Sequence, residues 1–127
     1  EFRIAAIIAI DRIGGDDPVT IDLLADVIKH EGDYLIRRGI AKTLGNIASS
    51  PAACERAAQA LVATVEDDPI ESVRYEAIDS IGRIGTKRLS EELANHVKET
   101  LFKAMSIDTI FNKQRALIAL TKINNEP

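Results

Sequence analysis

Tryptophan is absent, and phenylalanine and tyrosine bring the aromatic share to only 4%. A core must therefore be built from Ile, Leu, Val and Ala, which supply most of the 46% apolar content, and that content argues against disorder. One cysteine, Cys54, permits no internal disulfide and suits a reducing compartment, so an intracellular setting (cytoplasmic or nuclear) is expected. No apolar run is long enough to span a bilayer, which excludes insertion by a membrane helix. No secretory leader is visible, and the chain opens inside a helical pattern, so a segment of a larger protein is expected. Lys and Arg together number 16 against 20 Asp and Glu, a net charge of -4, which excludes a surface that is basic throughout. Missing too are a phosphate loop, a CxxC pair and a Ser/His/Asp grouping.

What is present is a repeat. In Val73-Arg-Tyr-Glu-Ala-Ile-Asp-Ser-Ile-Gly-Arg-Ile-Gly85, the apolar residues Val73, Ala77, Ile78, Ile81 and Ile84 step by three and four, placing one stripe along one side of a helix. The pattern recurs from Phe2, Ile36 and Asn112, so the four starts lie 34, 37 and 39 residues apart. A period in that range predicts a solenoid of helix pairs. The spacing predicts helices over 2–14, 19–30, 34–48, 52–66, from near Glu71 or Ser72 to about Arg83, 89–105 and 110–123, about seven in all. They form a lone first helix and three antiparallel hairpins, in one domain over 1–127 with repeat pieces 2–15, 19–48, 52–85 and 89–123. Pro18 is expected in a first helical turn and Ser50 at an N-cap. Gly45 and Gly82 share a register position, where close helix approach is expected.

The period, the hairpin unit and the Val-Arg-x-x-Ala-x-x-x-Ile-Gly-x-Ile-Gly second helix together resemble the HEAT and HEAT-like repeat family across the whole chain. The resemblance implies an all-α fold, a right-handed alpha-alpha superhelix whose second helices line the inner curve. It also implies a turn Asp five residues before the Val, with Arg after it. Asp68, Val73 and Arg74 match, and Glu31, Ile36 and Arg37 match with a substitution. In the last repeat Asn112 and Lys113 hold the Val and Arg positions, and Ile107 stands where the acid is expected. Turn acid and helix Arg of successive repeats are expected to form a ladder of exposed charge-assisted hydrogen bonds, each worth about 0.2–1 kcal/mol.

One HEAT-like enzyme, deoxyhypusine hydroxylase, resembles this architecture and carries His-Glu pairs just after the Val-Arg step to hold two irons. Here those positions read Ile4-Ala5, Arg38-Gly39, Tyr75-Glu76 and Gln114-Arg115, so the ligands are missing and no metal or other cofactor is expected. His30-Glu31 falls in a turn, outside that register, and His96 reads as a surface residue. Phycobilin lyases share the repeat without a diagnostic residue in it. Nucleic-acid binding would draw on the row Arg12, Asn46, Arg83 and Lys122, with Arg38 and Lys42 adding to it, interrupted by Glu76 and Asp79 and lacking an aromatic run for base stacking. The leading expectation is a non-catalytic scaffold that contacts protein partners through Arg38, Lys42, Tyr75, Glu76, Asp79 and Arg83. The first helix, apolar nearly all round with Ile4, Ala5, Ile8 and Ala9, adds an expectation of self-association.

Overall fold

The computed structural model describes Ala6, Ile7 and residues 17–127. Among the described residues there are six long helices and no strand: α1 (Pro18–His30), α2 (Tyr34–Ile47), α3 (Pro51–Asp67), α4 (Glu71–Ile84), α5 (Glu91–Ile107) and α6 (Ile110–Asn124). The first expected helix, and the self-association assigned to it, lie outside the described residues apart from Ala6 and Ile7.

Local chemistry sets the helix starts. Asp17, Asp33, Ser50, Ser90 and Thr109 each accept a backbone N–H of their own first turn, satisfying a donor that the helix cannot. Pro18 and Pro51 occupy first helical positions, where a missing N–H costs nothing. α4 has no side-chain cap; the Ile70 N–H instead reaches Asp68 Oδ1 at 3.0 Å. α5 starts at Glu91, two residues later than expected. Ser90 caps it, and Leu89 sits in a preceding turn closed by its N–H on the Thr86 carbonyl, yet still packs half-buried on the core.

The odd-numbered helices pack side by side as one layer, α1 on α3 and α3 on α5, and the even-numbered ones form the other, α2 on α4 and α4 on α6. Hairpin contacts join the layers. Ile36, Ile40, Leu44, Leu61, Ile78 and Leu101 are wholly buried between them, so each hairpin shelters its apolar stripe against the next. Cys54 is a small buried core residue. Phe102 and Leu117 stand where the preceding hairpin has the buried Val62 and Ile78, and both are exposed. No helix among the described residues is long and apolar enough to cross a membrane.

Two close approaches depend on glycine. A Cβ on Gly82 would meet the Ala119 Cβ at 3.1 Å and its Cα at 3.2 Å, and one on Gly45 would lie 2.5 Å from the Ser80 Cβ. The shared register position is therefore where second helices touch, as expected. Gly85 ends α4 at φ 74° and ψ -166°, a region that side chains reject, and there it faces Glu126. The Glu126 carboxylate accepts from Thr86 N (2.8 Å), Thr86 Oγ1 (3.2 Å) and Lys87 N (3.3 Å), fastening the end of the chain to this turn. Gly85→Ala is expected to lower stability by about 2 kcal/mol in a urea melt, because it strains the backbone and also displaces Glu126. Glu126→Ala, which removes only the clamp at the surface, is expected to cost less than Gly85→Ala.

Candidate interaction face

The ladder of turn acids fixes how the hairpins register. Arg37 in α2 grips Asp68 through Nε (2.7 Å) and Nη2 (3.2 Å), and Arg74 in α4 grips Asp108 through Nε and Nη2, both at 3.0 Å. The same guanidiniums also tie down their own turns: Arg37 Nη1 donates to the Glu31 and Gly32 carbonyls, and Arg74 Nη1 to that of Asp68. Hydrogen bonds to these carboxylates hold both arginines further toward the charged form, against the opposing pull of burial.

Two expectations about the ladder need correction. The acid of the last turn is Asp108, not Ile107, which is exposed. Asp68 lies two residues before the α4 cap Ile70, whereas Asp108 directly precedes the α6 cap Thr109, so the last turn is one residue shorter. The rungs are also sheltered rather than exposed, since the Asp68 and Asp108 side chains keep only 7% of their accessibility. At the equivalent position of Arg37 and Arg74, α6 has Lys113.

With that register fixed, the second helices present one common face. Relative to the Val position (Ile36, Val73, Asn112), the residues at -1, +2, +3, +6 and +10 fall within about 100° of arc. They are Leu35, Arg38, Gly39, Lys42 and Asn46 in α2, then Ser72, Tyr75, Glu76, Asp79 and Arg83 in α4, then Phe111, Gln114, Arg115, Ile118 and Lys122 in α6. All six residues expected to contact a partner lie here. They are not equally free.

Asp79 receives a two-pronged bond from Arg115, with Nε at 3.0 Å and Nη2 at 2.9 Å, and Glu76 lies 3.8 Å from Arg38 Nε. Tyr75 packs its ring 5.0 Å from that of Phe111, with the Arg115 guanidinium 5.3 Å from its centroid, an arrangement that the ring quadrupole favours. Tyr75, Glu76 and Asp79 are therefore half-buried, while Arg38, Lys42 and Arg83 are exposed. Arg83 Nη2 donates to Ser80 Oγ at 2.7 Å and to the Lys42 carbonyl at 3.2 Å. The partners not singled out beforehand, Phe111 and Arg115, sit at the -1 and +3 positions of α6. Applying the α4 register to α6 would have found them.

The rest of the surface offers less. A groove of about 600 Å³ runs between α1 and α3, where Ala25 stands at the position that α3 fills with the buried Val62. Its walls include Ala60 and Ala63, and the Arg56–Asp22 ion pair (3.1 Å) lines it too. His30 bonds its own helix at the Asp26 carbonyl, and His96 lies 3.2 Å from Glu66. Among the described residues no three of His, Cys, Asp and Glu gather as metal ligands.

A family model for HEAT repeats matches residues 1–82. No curated protein and no solved structure matches the chain.

Proposed function

Because the chain belongs to the HEAT repeat family, we propose that it is a non-catalytic scaffold that binds a protein partner on the face of its second helices. One observation supports the reading above the others: side chains from successive second helices lock one another across that face. Arg38 meets Glu76, Asp79 meets Arg115, and Tyr75 meets Phe111. A pre-ordered surface loses little side-chain freedom on binding, which favours affinity. Leu35, Phe111 and Ile118 remain exposed on it and offer apolar anchors among polar neighbours, the composition of a protein-binding patch.

The test compares the chain with Tyr75→Ala/Phe111→Ala, both immobilised and shown to be helical by circular dichroism. Each is exposed to extract from the cells that make the protein. The scaffold reading expects at least one protein to be held by the wild type, released by excess free chain and lost from the variant. Retention that ignores both the competitor and the substitutions would overturn it.

A further inference from the structure

We propose that this face takes an acidic, amphipathic protein segment, an inference that rests on the scaffold reading. The chain as a whole is acidic, with a net charge of -4. The face has the opposite sign. Its fifteen positions carry five cations, Arg38, Lys42, Arg83, Arg115 and Lys122, against two carboxylates, Glu76 and Asp79. Both carboxylates are engaged within the face, by Arg38 and Arg115. Among the described residues, that leaves Lys42, Arg83 and Lys122 with no carboxylate on the face to offset them.

These three cations are neighbours although they come from three helices. Arg83 reaches back to the Lys42 carbonyl, and a Cβ placed on Gly82 would lie 3.7 Å from Lys122 Cδ. The close approaches at Gly45 and Gly82 thus draw the basic row together. The apolar group, Leu35, Tyr75 and Phe111, lies nearer the start of each helix. From Tyr75 to Arg83 is eight residues, roughly 12 Å along the axis. A ligand that satisfies both halves carries aliphatic or aromatic side chains at one edge and carboxylates about 12 Å away. Complementary charge of this kind selects partners and speeds encounter. Nucleic acid would answer the basic row, but Tyr75 is half-buried against Phe111 and Arg115 rather than open as a stacking platform.

The experiment is selection of a phage-displayed random 16-residue peptide library on the intact 127-residue chain. Affinities of the enriched peptides are then measured by fluorescence anisotropy at two salt concentrations. The expected result is enrichment of peptides rich in Asp and Glu that also carry aromatic or aliphatic residues. Their binding weakens with salt, falls about tenfold or more in Arg83→Glu/Lys122→Glu, and is unchanged in Lys29→Glu/Lys103→Glu, which alters the charge equally away from the face. Circular dichroism confirms that each variant is folded. Enrichment of neutral or basic peptides, or equal loss in both variants, overturns the acidic ligand and leaves the scaffold standing. An empty selection overturns the acidic segment, while the scaffold reading stands or falls on the extract test. Tighter binding of a single-stranded 20-mer oligonucleotide than of any peptide, lost in the same face variant, overturns it in favour of nucleic acid.

Discussion

Asp108→Ala is expected to cost about 3 kcal/mol in a urea melt at neutral pH, close to what removing one partner of a buried ion pair costs elsewhere. The residue lies in a turn, where a surface acid would ordinarily contribute almost nothing. Its setting is different. The side chain is 7% exposed and its partner Arg74 17%, and the carboxylate accepts from Arg74 twice, from Thr109 N at 2.7 Å and from Asn112 Nδ2 at 3.2 Å. Alanine leaves a sheltered guanidinium and the Thr109 N–H without their carboxylate, while Asn112 Nδ2 keeps only the Glu71 carbonyl at 3.2 Å. Asp108→Asn, which keeps an oxygen in place but no charge, is expected to lose about half as much. If both substitutions change stability by less than about 0.5 kcal/mol, the ladder is surface decoration, as isolated exposed pairs often are.

The same carboxyl gives the stability a dependence on acid. Burial would push it up, but the Arg74 hydrogen bonds, the Thr109 N–H, the Arg74 charge and the Asn112 amide outweigh burial and hold it below its ordinary value of 3.8. The unfolded chain therefore takes up the proton at a higher pH than the native one does. The stabilisation from Asp108 is complete above the unfolded value and is lost as pH falls through the lower folded value. The gap between wild type and Asp108→Ala is expected to be constant from pH 7 to about 5 and to close below about pH 4. A gap that widened in acid would reverse the sign of this argument.

Why some of this could be read from the chain and some could not follows from where the information lies. A stripe such as Val73, Ala77, Ile78, Ile81, Ile84 belongs to one helix, so its period is visible in one stretch of sequence. All of these residues are buried. The Arg37–Asp68 rung was legible because a family pattern pairs the turn acid and the helix Arg at a fixed spacing. Asp108 was missed because the last turn is one residue shorter, and a fixed offset of five then lands on Ile107. The six residues expected to contact a partner do share one face of the second helices, but the ion pairs across that face were not foreseen. Glu76 and Asp79 read as free acids interrupting a basic row, since their partners Arg38 and Arg115 lie on neighbouring helices nearly forty residues away in sequence. Pairing across helices depends on their stagger, and no single helix's periodicity encodes that.

The stagger is itself set at Gly45, and Gly45→Leu is expected to be the other severe substitution, with a loss of about 3 kcal/mol. In isolation the change should favour the helix by about 1 kcal/mol, because leucine is a far better helix former than glycine. Packing decides otherwise. A first side-chain carbon there would lie 2.5 Å from Ser80 Cβ and 2.8 Å from Arg83 Nη2, so α2 and α4 would have to separate. Ser80 cannot yield cheaply: it is fully buried, and its Oγ donates to the Ala41 carbonyl at 2.7 Å while accepting from Arg83. Overpacking and the loss of that buried bond together exceed the gain in propensity. A second pair of variants isolates the cause. Gly45→Ala alone is expected to destabilise, whereas Gly45→Ala combined with Ser80→Gly should recover about 1 kcal/mol relative to the sum of the single changes, because the colliding Ser80 atoms are gone and only the flexible end of Arg83 has to move. Strict additivity would mean that the helices do not meet there. The consequence reaches the face as well, since Arg83 leans over Gly45 to bond the Lys42 carbonyl. Gly45→Leu should therefore scatter the basic row even at temperatures where the chain is still helical, and binding of an acidic peptide should fail before the fold does.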